Sequence, residues 1–251
     1  VVGIIGLGRI QVNNNMVHWF KEGSDLRTAD RVMNARLGGT STAYLVIQSP
    51  IGDSMKDPAM LRSIEALQRE VEKDPRVGKT FSVVDYVKRI NRALHDDDPG
   101  YDRVPDSAAE VGQYLFLFGT SARPSDLDNV VDYPFQKANI VVQLRSWDAG
   151  VMADVIRRAE ALLAAHPLPL EATLRPAGIA YFNLVWSDEV LWGMLKSFVA
   201  GLGLVLLLLV AQTRSVLWGA LMFVPLLFTI VLIYGAVGLA GKDFDMPVAV
   251  L

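Results

Sequence analysis

The stretch SFVAGLGLVLLLLVAQT, residues 197–213, contains no charged side chain and consists mainly of leucine, valine and glycine. Together with VLWGMLK just before it, the segment 190–213 is long enough for a helix to cross about 30 Å of hydrocarbon. After Arg214, a second uncharged run, SVLWGALMFVPLLFTIVLIYGAVGLAG, occupies residues 215–241. The two runs predict a second and a third transmembrane helix with a very short connection, and the Lys196 amine can reach the near interface.

Two shorter apolar stretches lie outside this pair. VVGIIGLGRIQ at residues 1–11 predicts the end of a first membrane helix, and the apolar residues after KDFD predict the start of a fourth helix at 244–251. An alternative for the first stretch is the dinucleotide-binding turn G-x-G-x-x-G, because Gly6 and Gly8 match it. Gln11 stands where the third glycine belongs, and three asparagines follow where the phosphate-binding helix should begin. The sequence therefore favours a fragment of a polytopic membrane protein.

The charged residues are concentrated between the apolar runs. The chain has 24 Lys and Arg residues and 27 Asp and Glu residues, of which only Lys196, Arg214, Lys242, Asp243 and Asp245 lie beyond residue 189. Residues 12–189 therefore form a polar domain. Because Arg214 is the only charge in the short connection, the positive-inside tendency predicts a cytoplasmic connection and an extracytoplasmic domain. The absence of cysteine suits this location and a cytosolic one equally. The predicted location is the inner membrane, crossed several times.

Hydrophobic spacing in residues 12–189 predicts two strand-helix-strand units. The predicted elements, in chain order, are a strand at 42–48, a helix around Met60 to Val71, a strand at 77–83, a strand at 138–144, a helix around Val151 to Leu162 and a strand at 170–175. Further helices are predicted after Ser24, at 84–94 and after Ser107. Strand, helix and strand twice over is the ferredoxin-like split arrangement, with helices on one face of an antiparallel sheet. The predicted fold class is an α+β outer domain attached, through a helical lead at 178–196, to a transmembrane bundle.

No stretch carries a catalytic signature. The sequence lacks G-x-S-x-G, H-E-x-x-H and G-x-x-x-x-G-K-[ST], so neither an enzyme nor a bound cofactor is expected. HDDDPGYD, residues 95–102, offers carboxylates that suit a hard cation, but it lacks the spacing of a calcium loop and a solvated turn is favoured. His18, His95 and His166 are not spaced as metal ligands. No metal site is expected, and nothing in the sequence favours nucleic acid as a partner.

The phrase FKEGSDLRTADRVMNARLGGTSTAYLVIQ, residues 20–48, resembles the resistance-nodulation-division (RND) superfamily in its MMPL-type branch of predicted exporters. The similar part is F-K-x-G-S, then R-x-A-D-x-x-M-N-x-x-L-G-G and a strand. The resemblance covers essentially the whole chain and implies a first membrane helix, an outer porter domain, further membrane helices and a duplicated second half. It also implies proton-driven export of hydrophobic or lipid-like compounds. The implied partners are the lipid bilayer, such a substrate and the remainder of the polypeptide, and a homo-oligomer is left open.

Proton coupling in this family is implied to use carboxylates buried on the fourth helix and on its counterpart in the second half. Between Ser197 and Gly241 the only charge is Arg214, so neither complete span offers such a group. Asp243 and Asp245 lie at the entrance of the predicted fourth helix, where an interfacial cap is favoured over a role in proton transfer. The coupling carboxylate is therefore expected beyond Leu251.

Four aromatic residues at the start of the membrane lead are candidates for a substrate path: Tyr181, Phe182, Trp186 and Trp192. An apolar substrate from the outer leaflet could contact them, whereas the favoured alternative is an aromatic belt at the bilayer interface. A second aromatic group, in a predicted helix, could face a cleft, although core packing is the simpler explanation; it comprises Tyr114, Phe116 and Phe118.

Small residues in the apolar runs predict close contact between the helices, and Pro225 predicts a kink. These residues are Gly201, Gly203, Gly219, Gly235 and Gly238. The rival to an exporter is a membrane receptor or scaffold resembling the sterol-sensing proteins, which share this membrane architecture without transport. Acidic residues in the core of a second half would favour transport, whereas a cytoplasmic signalling domain after one half would favour the rival.

Overall fold

The computed structural model describes residues 15–121 and 125–239, and the chain divides into two compact units. The first, residues 20–182, is an α+β fold. The second comprises residues 1–19 and 183–251 and is called here the apolar unit. The predicted first and fourth membrane helices, together with Asp243 and Asp245, lie outside the described residues.

The α+β unit alternates strands with helices. In chain order its elements are α1 (Asp25–Arg36), β1 (Ser41–Gln48), α2 (Pro58–Glu72), β2 (Val77–Phe81), α3 (Val83–Leu94), α4 (Ala108–Ser121), the one-turn α5 (Ser125–Asp128), β3 (Lys137–Leu144), α6 (Ala149–Ala165) and β4 (Thr173–Ala177). β2 ends before the predicted residue 83 because Ser82 and Asp85 form a capping box that starts α3. β4 starts only at Thr173 because Leu170 and Glu171 adopt left-handed backbone angles, with φ of 55° and 52°.

The four strands form one antiparallel sheet in the order β2-β3-β1-β4. β3 lies between the two strands of the first strand-helix-strand unit, and β1 lies between the two strands of the second. The two strands of each strand-helix-strand unit are therefore separated by one strand of the other strand-helix-strand unit. This is the split arrangement that the sequence predicts. The central pair is held in a register that places Leu45 opposite Ile140.

One face of the sheet and two helices form the core of the α+β unit. Alternate residues of the central strands are fully buried, as period-two spacing requires: Ala43, Leu45 and Ile47 in β1, and Ile140, Val142 and Leu144 in β3. α2 packs against α6. Their buried apolar side chains include Leu61, Ile64, Leu67 and Val71 from α2, and Val151, Met152 and Val155 from α6. Because burial of one such side chain contributes about 1.5–3 kcal/mol, this layer dominates the stability of the unit.

A polar cluster, called here the α1 latch, connects α1 with the start of β1 and with the loop after β3. The Thr40 hydroxyl donates to Asp30 Oδ1 at 2.6 Å and accepts a hydrogen bond from Trp147 Nε1 at 3.1 Å. The Asn34 side chain accepts from the Thr40 backbone N–H and donates to Asp30, both at 2.9 Å. Asp30, Asn34 and Thr40 lie in or next to the phrase that resembles the RND superfamily, and the fold gives them a structural role.

The Gly-Gly pair after α1 makes a close backbone crossing with the sheet. Gly38 and Gly39 have φ of +84° and +148°, which favours glycine at both positions. A Cβ atom on Gly78 of β2 would overlap the backbone of Gly38, with the Gly38 Cα at 2.7 Å. A Cβ on Gly39 would similarly overlap the backbone of Leu144. The crossing therefore excludes side chains and fixes where α1 meets the sheet edge.

α1 itself contributes nothing to the core. No residue of this helix, which is described throughout, is buried. Leu26, Met33 and Leu37, which share a face, are 44–62% exposed. The helix is thus held at its carboxyl end by the latch and the glycine crossing, and its apolar face is open.

The apolar unit is built on two long helices, α7 (Ile179–Thr213) and α8 (Val216–Leu239). α7 starts at Ile179 and passes residue 190 without a break, so the predicted helical lead and the predicted second membrane helix are one element. Arg214 makes the turn with φ of 50°. The Thr213 hydroxyl donates to the Leu209 carbonyl at 2.8 Å and closes the last turn of α7.

Candidate functional site

α7 and α8 are each long and apolar enough to cross a membrane. The most apolar 18-residue segments have mean hydropathies of 2.3 in α7 and 2.6 in α8. The buried share of these segments is 0% in α7 and 6% in α8, so their apolar side chains face outwards. A core helix of a water-soluble domain would have this surface covered by protein. Length and composition therefore make the pair the candidate membrane site of the chain.

The two helices run antiparallel and approach closely near the turn. A Cβ on Gly219 would lie 2.6 Å from Val210 Cγ2 and 2.9 Å from the Val210 Cα, so only glycine allows this approach. Farther from the turn, the rings of Phe198 and Tyr234 are in edge contact with centroids 6.3 Å apart. Small residues at helix contacts are typical of membrane-embedded pairs.

The predicted role of the glycines is confirmed for α8 and differs for α7. Gly219, Gly235 and Gly238 are buried. Gly201 and Gly203 of α7 are exposed, and a Cβ on either would meet no described atom within 4 Å. The helical period explains this for Gly201, which lies on the opposite side of α7 from Val210; Gly203 lies about two turns before Val210 on nearly the same side, where no described atom approaches it.

The four aromatic residues predicted for a substrate path all lie on α7. Phe182 and Trp192 are 58% and 60% exposed, and Tyr181 and Trp186 are half-buried. Tyr181 and Phe182 belong to the α+β unit, and Trp186 and Trp192 belong to the apolar unit. Exposed rings suit an interfacial belt and a path for an apolar molecule equally well, so the choice between the two stays open.

Polar residues, and not the aromatic ones, occupy the buried side of α7 in the apolar unit. Asn183 and Ser187 lie one turn apart and are only 2% and 6% exposed. Polar side chains in an apolar helix are costly to bury without partners, so they generally face protein and not lipid. This side of α7 is therefore covered by protein.

The α+β unit contains a cleft of about 510 Å³, called here the α4 cleft. Its apolar walls come from three separated segments and include Leu115, Phe116, Leu127, Val131, Tyr133 and Phe135. Clefts of about 300–1,000 Å³ with apolar walls and a few polar groups are typical of small-molecule sites. The sequence indicates this cleft only in part.

Two loops make one side of the α4 cleft and are bonded to each other through their backbones. The Asp53 N–H donates to the Pro134 carbonyl at 3.1 Å, and the Met55 N–H donates to the Phe135 carbonyl at 3.0 Å. Asp53 and Phe135 both have left-handed backbone angles, with φ of 58° and 51°. Such angles are uncommon outside glycine and occur often at ligand sites. The loops are therefore held in one geometry before any ligand binds.

Negatively charged side chains outnumber positively charged ones among the described residues that line the α4 cleft. Three carboxylates, Asp53, Asp128 and Asp132, and one ammonium, Lys56, lie among its lining residues. Lys56 Nζ pairs with Asp53 Oδ1 at 2.7 Å and lies 4.1 Å from the centroid of the Phe135 ring. The one positive charge among the described lining residues is therefore already compensated.

Aromatic residues of α4 divide between the cleft and the core. Phe116 is 75% exposed and lines the cleft, so for this residue the cleft interpretation is correct. Tyr114 is buried, and its hydroxyl donates to Glu110 Oε1 at 2.6 Å. Burial and the Glu110 carboxylate raise the pKa of Tyr114 to about 12. Phe118 packs on Tyr86, with ring centroids 4.9 Å apart.

The acidic stretch 95–102 forms a capped turn. Asp97 lies 3.5 Å from Arg89 Nη1, and the Asp98 carboxylate accepts the Gly100 N–H at 2.8 Å. His95 stacks on Tyr101 with ring centroids 3.7 Å apart. These side chains thus have structural partners, and over 15–121 and 125–239 no three His, Cys, Asp or Glu side chains are placed to hold a metal ion.

No protein-family model matches the chain, and no curated protein matches it. The resemblance to the RND superfamily, with everything it implies for activity and partners, therefore stays a prediction. The same holds for the expectation that the chain is not an enzyme.

Sequence reasoning missed most of the α4 cleft. Its lining residues come from the loop after β1, from α4 and from the segment before β3, which are far apart in the sequence. The usable signal in the sequence was the spacing of three aromatic residues in α4. On a helix, Tyr114 and Phe118 lie on one face and Phe116 lies on the opposite face, so all three cannot be buried together. The left-handed Phe135 carries no sequence signal, since phenylalanine rarely adopts this angle.

Proposed function

We propose that this chain is part of a proton-driven exporter of the MMPL type that moves hydrophobic or lipid-like compounds. The observation that carries the proposal is the succession along one chain of a split α+β fold and an antiparallel pair of exposed apolar helices. α7 belongs to both parts of this succession. The order agrees with the resemblance of residues 20–48 to that superfamily.

The exposed apolar surface of α7 and α8 supports a membrane location. Leu207, Leu217 and Phe228 are 63–69% exposed, as are many of their neighbours in both helices. Each such side chain loses about 1.5–3 kcal/mol of favourable transfer free energy when it stays in water. Lipid removes that cost for all of them together. In the proposed protein, α7 and α8 cross the inner membrane, and residues 12–189 lie outside it.

The aromatic residues of α7 lie at the proposed bilayer surface. Phe182 and Trp192 keep more than half of their surface accessible. A lipid-like substrate leaving the outer leaflet would meet such rings without displacing packed side chains. In the proposed mechanism, Tyr181, Phe182, Trp186 and Trp192 guide the apolar part of the substrate between lipid and the α+β unit.

Proton coupling in the proposal is assigned to another part of the polypeptide. Between Ser197 and Leu239 the only charged residue is Arg214, which lies in the turn. A buried carboxylate is the usual proton carrier inside a membrane protein. α7 and α8 therefore act as a packed support whose movement follows proton transfer elsewhere.

The proposal is tested by efflux from cells that lack the gene and from the same cells complemented with it. The cells are loaded with an uncharged fluorescent lipophilic dye, and loss of fluorescence is followed with and without a protonophore. Complemented cells should expel the dye faster, and the protonophore should remove the difference. Equal rates in all four conditions would contradict transport and favour a receptor or scaffold.

Two glycine variants sharpen this experiment. Gly219→Leu places a large side chain against Val210 and should abolish the gene-dependent efflux, because the helix pair can no longer close. Gly201→Leu adds the same side chain where no described atom lies within 4 Å and should retain it. Immunoblots of the membrane fraction show whether both variants accumulate equally. Loss of efflux in both variants or in neither would contradict the proposed role of the helix pair.

A further inference from the structure

The α4 cleft has features of a ligand site that core packing does not require. Phe116 and Tyr133 line it with 75% and 97% of their surface exposed. Large aromatic side chains are costly to leave in water, and burying both in the core would have been the default for a folded domain. Their position on the walls of a cleft of about 510 Å³ instead leaves flat aromatic surface for another molecule.

The charged residues of the cleft indicate whether the bound molecule is a cation or an anion. The Lys56 ammonium is held by Asp53 and by the face of the Phe135 ring, so it is not available to an anion. Asp132 uses only Oδ1 to accept the N–H groups of Gln136 and Lys137, both at 2.8 Å. Asp128 is exposed at the end of α5. Among the lining residues that the structure describes, two carboxylates beyond the Lys56–Asp53 pair therefore give the cleft a negative potential.

A site that combines aromatic ring faces with carboxylates favours a cationic ligand. The face of an aromatic ring attracts a cation through its quadrupole, and a carboxylate attracts the same cation by its charge. An apolar body would in addition contact the wall of the cleft at Leu127 and Val131, which the fold already buries. An anionic amphiphile would gain the apolar contacts but would be repelled by Asp128 and Asp132.

We propose that the α4 cleft binds a cationic amphiphile, with its apolar body between Phe116 and Tyr133 and its positive charge beside Asp128 and Asp132. The two cross-bonded loops at Asp53 and Phe135 hold the walls in place before binding. The site lies wholly within the α+β unit and does not rest on the proposed transport, because a receptor would use the same cleft.

The experiment compares two probes of nearly the same shape and opposite charge, tetraphenylphosphonium and tetraphenylborate. The full chain is placed in nanodiscs of phosphatidylcholine, and binding is measured by equilibrium dialysis, with empty nanodiscs to subtract partition into lipid. The cation should bind about tenfold more tightly than the anion, and added salt should weaken its binding. Equal binding of both ions, or binding no greater than to empty nanodiscs, would overturn the proposal.

Variants locate the bound cation. Asp128→Asn should weaken tetraphenylphosphonium binding about fivefold through loss of one charge, and Tyr133→Ala should weaken it about threefold. Asp126→Asn is the matched control, because Asp126 is exposed on the same helix and does not line the cleft. It should retain the original affinity. An equal loss in Asp126→Asn and Asp128→Asn would place the cation outside the cleft and overturn the proposal.

Circular dichroism of each variant tests folding separately, and little change is expected because Asp128 and Tyr133 are exposed. The outcome is also separable from that of the efflux experiment. Binding without gene-dependent efflux would contradict only the proposed transport, whereas efflux without binding to the cleft would contradict only the proposal made here.

Discussion

Asp74 is a buried, ionised carboxylate of the α+β unit whose pKa is lowered by an ion pair. Its side chain is 2% exposed and accepts hydrogen bonds from Arg76 Nε at 2.9 Å and Nη2 at 2.7 Å. The Arg76 guanidinium holds the pKa of this carboxyl at about 2, against the opposing effect of burial. Arg76 also pairs with Asp154 of α6, so the residue connects the loop before β2 with a core helix.

The pH dependence follows from the direction of this shift. Because the folded-state pKa of Asp74 lies below its ordinary value of 3.8, the ionised carboxylate stabilises the folded chain. The contribution is about 2 kcal/mol, is complete above about pH 5, and is lost as the pH falls through the folded-state pKa. Acid should therefore weaken the Asp74–Arg76 pair, through which the loop before β2 is connected to α6. Neutral and alkaline pH should leave this pair intact.

Replacing Asp74 by Asn should lower the free energy of unfolding at pH 7 by about 2 kcal/mol, because the guanidinium loses its buried partner. The difference from the original chain should shrink towards zero as the pH approaches 2. Denaturant unfolding followed by circular dichroism at several pH values measures both effects. Asp102→Asn, at an exposed position, is the control and should cause little change. A constant difference at all pH values would show that the charge is not the cause.

Single residues of the α4 cleft hold unfavourable backbone angles. A left-handed angle at a residue other than glycine costs on the order of 1 kcal/mol, and Asp53 and Phe135 both adopt one. The backbone bonds of Asp53 and Met55 to the other loop offset this cost. The two loops therefore keep their shape through their own backbone hydrogen bonds.

Among the elements, α1 depends on the glycine crossing more than on packing. No side chain of α1, a fully described helix, is buried, so its attachment rests on the latch and on the approach of Gly38 to Gly78. This explains in physical terms why the sequence places glycine and small polar residues there. It also means that α1 can detach while the sheet stays folded, because the core lies in other elements.

Gly78→Ala should detach α1 selectively. The added methyl group would overlap the Gly38 backbone, and relief requires the crossing to open at a cost of about 3 kcal/mol. Hydrogen exchange in residues 25–40 should become faster by about a hundredfold, with much smaller changes in β1 and β3. Gly52→Ala, where a Cβ meets nothing within 4 Å, is the control. Unchanged exchange in α1 would show that the crossing does not hold the helix.

The elements of the α+β unit were largely predictable from the sequence. Alternation in β1 and β3 and the helical spacing of α2 and α6 are strong signals, because the core imposes them directly. The ends of the elements were less predictable. The end of β2 is set by the capping box at Ser82, and the start of β4 is delayed by the left-handed backbone angle of Leu170. The helical lead predicted at 178–196 and the membrane helix predicted from residue 190 are one continuous helix, Ile179–Thr213, because composition changes there while the helical backbone bonds continue.

The α4 cleft was not predictable in the same way. It is made by tertiary contacts among segments near residues 53–56, 112–120 and 127–135. Neither the spacing within one segment nor its composition shows which other segment it will meet. The helical spacing separates Phe116 from Tyr114 and Phe118, but only the fold shows which other segments Phe116 meets. The orientation of Gly201 and Gly203 was unpredictable for a similar reason, because a glycine pattern does not identify the helix face in contact.

At the scale of the whole molecule, the proposed topology places the α4 cleft and the α7–α8 turn on opposite sides of the membrane. Charge distribution supports this assignment, with Arg214 as the only charge in the turn. The chain contains no cysteine, so a single introduced thiol reports its own side without background.

Tyr133→Cys and Gln212→Cys provide this measurement in intact cells. A membrane-impermeant maleimide should label residue 133 readily from outside, and residue 212 at least about tenfold more slowly until the membrane is opened. Tyr133 is 97% exposed and Gln212 is also exposed, so both thiols are accessible to reagent in a lysed sample. Phe228→Cys, in the middle of α8, is the control and should resist labelling in both samples. Equal labelling of 133 and 212 in intact cells would contradict the topology.

The shortness of the α7–α8 turn has a consequence for biosynthesis. Only Arg214 and Ser215 separate Thr213 from Val216, and the chain between those two residues can span about 10 Å at most. In the proposed membrane protein, the end of α7 and the start of α8 therefore lie at the same surface of the bilayer. The two helices insert as one hairpin, so a change that reverses the orientation of one must reverse the other as well.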